Sequence, residues 1–412
     1  MIPTSKDNPP PSPVTEPRAR HSTTAAVRTG IESDTQFGAV VPPVYLSSNF
    51  SFAGFGEKRT YDYTRSGNPT RDTLARALTE IEGGADAVVT ASGMAAVTLA
   101  LQLLAPDDTL VVPHDCYGGS YRLFTALAQK GQFKLRVVNQ TDRAALQTAF
   151  ADKPKLVWVE TPSNPLLRIV DIRRLADLTH AGGGLLLVDN TFLSPLGQQP
   201  FAHGADIVLY STTKYLNGHS DVVGGAVISR DRAVHDQLAW WANCLGLAGA
   251  PFDSYLTLRG LRSLPARLRV HLENAAAVVE LLAQHAAVQR VYYPGLKTHP
   301  GHALAARQQS NFGAMVSFEL CGGEAEIRAF LHGLRCISLA ESLGGVESLI
   351  AHPVSMTHAS MDEAARIEAG ISAQLLRFSV GIEAAEDLLA DLKAGLDRAL
   401  PTSVRVARRA AS

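Results

Sequence analysis

The feature that most constrains this chain is a series of short apolar runs, AVVTAS, TLVVPHD, LVWVET, LLLVDN, DIVLYS and GAVIS, separated by helix-patterned stretches such as MAAVTLALQLL. Strand and helix patterns in alternation predict repeated βα units around a mostly parallel central sheet, an α/β fold. From about residue 260 the pattern changes. The long amphipathic segment LPARLRVHLENAAAVVELLAQH is followed by strand-like AMVSFEL and LLRFSV between helices, which predicts a smaller C-terminal α+β domain. The expected division is a large domain over 66–262 and a small one over 263–402.

A chain of 412 residues, 46% hydrophobic and 19% charged, has room for two or three domains with a large core. Its 38 basic and 39 acidic residues give a net charge of −1, no electrostatic footprint for nucleic acid or an anionic membrane, so small molecules are the expected partners. Cys116, Cys244, Cys321 and Cys336 are scattered without CxxC spacing, which suits reduced thiols in a cytoplasmic protein. The stretch 1–20 (DNPPPSPVTEPRAR within it) lacks the apolar core of a signal peptide and reads as a disordered tail. The closing 403–412 reads as a flexible end. No apolar run reaches the roughly 18 residues of a membrane span.

Two of the runs end in groups with a shared chemistry. LLLVDN ends at Asp189, and DIVLYS leads into Ser211, Thr213 and Lys214. Alone, the Asp reads as a turn or cap and the Lys as a solvated side chain. Together they match the needs of pyridoxal phosphate. A lysine amine can hold the cofactor as a Schiff base, a carboxylate can keep its ring nitrogen protonated, and hydroxyls can donate to its phosphate. Ligands of parallel sheets bind beyond the strands' carboxyl ends, where these residues fall.

From Ala26 to about Leu400 the chain resembles the Cys/Met-metabolism family of pyridoxal-phosphate enzymes. The likeness runs through VVPPVYLSSNF, YDYTRSGNPTRDTLARALTEIEGG, PHDCYGGSYRLF, ETPSNPLLRIVDI, VDNTFLSP, STTKYLNGHSDVVGG, LAWWANCLG, FDSYLTLRGLRSL, LAESLGGVESLIAHP and MTHASM. So many long segments in one order are far more specific than a short motif. The resemblance implies the type I fold of these enzymes. It also implies catalytic roles for Lys214, Tyr117 and Asp189. Ser92, Gly93 and Met94, at a strand-to-helix junction suited to an anion, would cradle the phosphate with Ser211 and Thr213. Tyr117 would stack on the cofactor ring and Asn164 would bond its phenolic oxygen. By the same resemblance, Tyr63 and Arg65 belong to an arm over 21–65 that reaches the neighbouring subunit's cofactor phosphate, in a homotetramer of dimers with shared sites.

Arg377 lies inside the apolar LLRFSV, where a guanidinium is costly without an anion. A structural salt bridge is one reading; the resemblance implies a clamp on the substrate carboxylate, with Asn164 and the backbone near Ser342. Asp62 and Glu341 are expected to fix the substrate's amino or distal group. His299 and His302 (THPGH), in a Pro/Gly loop without a Cys or acidic partner, are solvated loop histidines rather than metal ligands, and Cys116 beside His114 is packing. No metal is expected. The activity implied is γ-replacement joining an O-acyl-L-homoserine, O-succinyl expected, to L-cysteine to give L-cystathionine, in transsulfuration toward methionine. Ser66 stands where enteric γ-synthases carry a second arginine, which leaves the acyl group open. Family γ-lyases, methionine γ-lyases and homoserine-ester sulfhydrylases remain alternatives; Glu341 argues against a β-lyase, which in bacteria carries a non-acidic residue there. A non-catalytic cofactor-binding paralogue is disfavoured by the intact Lys214, Asp189, Tyr117 and Arg377.

Overall fold

The structure, a computed structural model, describes residues 20–359, 361 and 363–400. The tails expected over 1–20, Arg20 apart, and over 403–412 lie outside the described residues. Each apolar run forms a strand of one seven-stranded sheet: β1 Asp86–Thr90, β2 Thr109–Pro113, β3 Lys134–Val138, β4 Leu156–Glu160, β5 Leu185–Asp189, β6 Ile207–Tyr210 and β7 Gly225–Ser229. The order is β1-β7-β6-β5-β4-β2-β3. β3, β2, β4, β5 and β6 run parallel, and β7 is antiparallel to both β6 and β1. The sheet is therefore mostly parallel.

Side chains alternate across a strand, and both faces here meet helices. Val157, Val159, Leu186, Val188 and Val208 pack on one side with Leu74 and Leu78 of the helix Pro69–Glu82. Leu156, Trp158, Leu187, Ile207 and Leu209 pack on the other with Val97, Phe124 and Leu238. β3 lacks this two-sided burial. It pairs only with β2, and Lys134, Arg136 and Val137 face water, so its sequence, KLRVV, lacks the continuous apolar signature.

The small domain is a five-stranded sheet, β8 Val288–Tyr292, β9 Met315–Leu320, β10 Ile337–Leu339, β11 Ser348–Ala351 and β12 Leu375–Ser379, ordered β10-β11-β12-β9-β8. All its pairings are antiparallel except β10 with β11. The helix Pro251–Gln284 joins the domains. The division expected at 262/263 thus falls inside one helix, which carries Pro265. It packs on the helices Ser22–Arg28 and Pro69–Glu82 in the large domain and on β8 and β9 in the small one. Among the described residues no helix is long and apolar enough to cross a membrane.

This helix also backs the segment that follows Lys214. A Cβ on Gly260 would lie 2.2 Å from the Asn217 carbonyl oxygen and 2.8 Å from that of Leu216, so only glycine allows the helix this close. Gly260→Ala is therefore expected to cost about 1–3 kcal/mol through overpacking. Gly323→Ala, where a Cβ meets nothing within 4 Å, serves as the control. Thermal unfolding of both variants checks this; equal melting temperatures would show that the contact yields without strain.

Candidate active site

The period of two along each strand decides what meets beyond the sheet. Glu160 follows Trp158, Asp189 follows Leu187 and Ser211 follows Leu209, so the three share the sheet face of those apolar side chains. They line a cavity of about 450 Å³ at the carboxyl ends of β4, β5 and β6. Glu160 and Asp189 are register partners on adjacent strands. Burial raises the Asp189 carboxyl to about 6, opposed by the hydrogen bond from the Thr191 N–H to its Oδ1 at 3.0 Å. Glu160 is pushed well above the ordinary carboxylate range, first by burial and then by the Asp189 charge. Its oxygens accept from the Tyr117 N–H at 2.9 Å and the Trp158 indole at 3.2 Å.

The second wall is a helix start. Ser92 caps the helix Gly93–Ala100, its Oγ accepting from the Ala95 N–H at 3.0 Å. A Cβ on Gly93 would sit 2.9 Å from the Ser211 Cβ, so glycine is what brings the free N–H groups of the first turn against that hydroxyl. Thr213 Oγ1 accepts from the Gly224 N–H at 3.0 Å, which folds the β6–β7 connection over the cavity. Met94 lines the cavity beside Gly93, and Tyr117 starts the helix Gly118–Gln129 opposite. The Tyr117 ring occupies the space a Cβ on Gly119 would take, 2.6 Å from its Cε1.

Lys214 reaches across to the small domain, donating from Nζ to Ser342 Oγ at 2.7 Å. Burial, and after it the Arg377 guanidinium, lowers the amine to about 8, with Glu341 acting in the opposite sense. Arg377, on β12, is 3% exposed. Its Nη1 donates to Asn164 Oδ1 at 3.2 Å and its Nη2 to the Ser342 carbonyl at 2.8 Å, while the buried Nε has no partner among the described residues. Burial lowers this guanidinium to about 10. Ser342 has φ 81, in the region that side chains avoid, so its carbonyl and hydroxyl are aimed at Arg377 and Lys214 at some backbone cost.

The structure thus gathers Ser92, Gly93, Met94, Tyr117, Asn164, Asp189, Ser211, Thr213, Lys214, Glu341, Ser342 and Arg377 around one cavity. Asp62, Tyr63 and Arg65 are not among the residues lining it. Tyr63 is 49% exposed, Arg65 donates to the Asn243 carbonyl and Oδ1 at 2.7 and 2.8 Å, and Asp62 accepts from Lys58 Nζ at 2.6 Å. Glu160, Thr191, Phe192 and Thr357 line the cavity without having been singled out in the sequence. For Glu160 the signal was present: it closes LVWVE as Asp189 closes LLLVD. His299 and His302 bond locally, to the Gly301 N–H and the Pro294 carbonyl, and Cys116 is buried in the core.

The chain belongs to the Cys/Met metabolism PLP-dependent enzymes, whose model matches residues 23–397. It is 56% identical over 377 residues, 91% of this chain and 98% of that protein, to the cystathionine γ-synthase of Escherichia coli (strain K12). It is 43% identical over 375 residues, again 91% and 98%, to a cystathionine β-lyase of Lactococcus lactis subsp. cremoris (strain MG1363). Among solved structures, the cystathionine γ-synthase of Xanthomonas oryzae pv. oryzae in complex with aminoacrylate and cysteine superposes with a TM-score of 0.91 at 66% identity, covering 92% of this chain and 98% of that one. The protein is accordingly an enzyme of the transferase and lyase class whose cofactor is pyridoxal 5′-phosphate. The residues present fit that group. The bare helix start at Gly93 beside two hydroxyls suits a phosphate. Asp189, the more easily ionised of the two carboxyls at neighbouring strand ends, suits a protonated ring nitrogen, and an amine near neutrality suits an aldehyde.

The depressed Lys214 amine has a direct readout in the cofactor-free protein. Reaction with an amine-acylating reagent needs the neutral amine, so labelling of Lys214 should rise about tenfold per pH unit and level off above about 8, while exposed lysines keep rising past about 10. Peptide mass spectrometry across pH 6–11 follows each site. A Lys214 profile parallel to the exposed lysines would show an unperturbed amine.

Proposed function

We propose that the enzyme joins an O-acyl-L-homoserine, with O-succinyl as the preferred ester, to L-cysteine, forming L-cystathionine and the free acid. The observation that carries this reading is the likeness, at 66% identity over 92% of the chain, to a cystathionine γ-synthase in complex with aminoacrylate and cysteine. It is joined by Glu341 at the rim of the cavity beside Lys214 and Arg377.

Pyridoxal phosphate, when bound, supplies an aldehyde that holds amines covalently and a ring that accepts electrons. Lys214 anchors it, Asp189 keeps its ring nitrogen protonated, and Tyr117 stacks on the ring. Asn164 bonds its phenolic oxygen, and Ser92, Gly93, Met94, Ser211 and Thr213 receive the phosphate. Arg377, with Asn164 and the Ser342 carbonyl fixing its plane, grips the substrate carboxylate. Glu341 and Asp62 orient the substrate's amino or distal end. With the cofactor bound, Lys214 would carry one proton at a time to and from the substrate's α- and β-carbons, the carboxylate would leave the γ-carbon, and the cysteine sulfur would bond there, its thiol proton leaving with the released acid. An amine near 8 is matched to both directions of transfer at neutral pH.

Tyr63 and Arg65 do not line their own cavity, and the arm around them exposes Phe37, Val40, Leu46 and Phe55. Those exposed side chains suit burial by a second copy, which supports an assembly in which each arm completes the neighbour's phosphate site, in a homotetramer of such dimers. The four free cysteines fit a cytoplasmic setting.

With O-succinyl- or O-acetyl-homoserine and cysteine, thiol addition should dominate over release of 2-oxobutanoate, because a positioned thiol gains effective molarity over competing protonation. Mass spectrometry of the products, with and without cysteine, tests this. Faster cleavage of cystathionine alone than synthesis from the ester would replace the reading by a γ-lyase. A second test addresses the assembly. Arg65→Ala and Lys214→Ala, each inactive alone, should recover activity in hybrid dimers, where one site receives both intact halves. Verified hybrids that stay inactive would place all the groups within one subunit.

A further inference from the structure

Arg71 lies in the first turn of the helix Pro69–Glu82, is 7% exposed, and spends its guanidinium on main-chain carbonyls. Nη2 donates to the Thr64 oxygen at 2.6 Å and the Arg65 oxygen at 3.3 Å, and Nη1 donates to the Gly249 oxygen at 3.2 Å. Taking a guanidinium out of water is costly unless its donors are used, and its planar fork suits carbonyls on two segments at once. One segment is the turn 63–67, closed by the Ser66 and Gly67 N–H groups donating to the Tyr63 carbonyl. The other follows the helix Arg232–Leu245, whose Asn243 receives the Arg65 side chain. Arg65 is therefore tied to the 243–249 segment at both ends, through its carbonyl by way of Arg71 and through its guanidinium by way of Asn243. Its side chain is engaged at Asn243, and neither residue lines the cavity of its own subunit.

We infer that Arg71 is a positioning residue for the neighbouring subunit's active site, holding Tyr63 and Arg65 in the pose this chain presents to its partner. The inference rests on the shared-site reading above, and subunit pairing separates the two. Arg71→Met keeps the length of the side chain and removes every donor. As a homo-oligomer it should lose about tenfold or more in kcat/KM, with weaker pyridoxal phosphate binding by absorption titration.

Paired with Lys214→Ala in purified two-tag hybrids, Arg71→Met should recover half the wild-type activity, since its intact Lys214 receives the partner's intact arm. Paired with Arg65→Ala it should recover none, since both arms are then defective. Recovery with Arg65→Ala instead would show that Arg71 serves its own site and would overturn the inference. No recovery in either pair, while the Arg65→Ala and Lys214→Ala pair recovers, would reduce Arg71 to a general folding role and overturn it as well. Failure of that last pair would instead remove the shared site itself. If Arg71→Met does not assemble, Arg71→Lys, which keeps the charge but not the fork, enters the same pairs with the same outcomes.

Discussion

A single buried guanidinium bridges the two domains at the candidate cavity. Arg377 belongs to the small-domain sheet, yet one of its donors goes to Asn164 in the loop after β4 and another to the Ser342 carbonyl. A charge so deeply buried is tolerable only where its donors have acceptors, and the spare Nε leaves room for one more. Ser342 in turn receives Lys214. The amine from one domain and the guanidinium from the other are therefore placed relative to each other by one residue in a strained conformation. Movement of either sheet would change the distance between them.

The large sheet does the rest by simple geometry. Parallel strands end on one edge, the period of two points alternate residues to one face, and the residues that close β4 and β5 and follow β6 on that face are Glu160, Asp189 and Ser211. β7 runs antiparallel to β6, so the connection between them starts and finishes on that same edge. It has no sheet to cross and needs no crossover helix. Its residues are free to serve the cavity, and Ser211, Thr213 and Lys214 all stand on it.

Much of this was legible in the sequence. Doubly buried strands announce themselves as apolar runs, so β1, β2, β4, β5, β6 and β7 could be read directly, and a polar residue closing such a run pointed to the site. The edge strand β3 could not be read this way, because a strand wet on one side carries lysine and arginine in place of valine. β8 and β10, half-exposed, failed for the same reason, while β11 is buried throughout but only four residues long. Glu160 was overlooked although it mirrors Asp189, because a glutamate before TPSNP passes for a turn residue until the strands are laid side by side. The division between domains was set where the apolar pattern changes, and a helix that serves two cores changes pattern without ending. Asp62, Tyr63 and Arg65 stand on a turn outside the lining of the cavity, and nothing in their local pattern sets them apart from a solvated turn.

The shared helix Pro251–Gln284 has a mechanical consequence. Leu258 and Leu261 near one end, and Val278 and Leu282 near the other, belong to one continuous apolar cluster that also contains Leu78 and Phe378. That cluster is shared between the domains, whereas the one around Trp158 and Leu209 lies wholly in the large domain. Cutting the chain between residues 262 and 263 would split a helix and strand apolar surface on both fragments, so the small domain is not a module that could be transplanted. Loss of order in one half withdraws the support of the other, and the enzyme is built to melt as a unit.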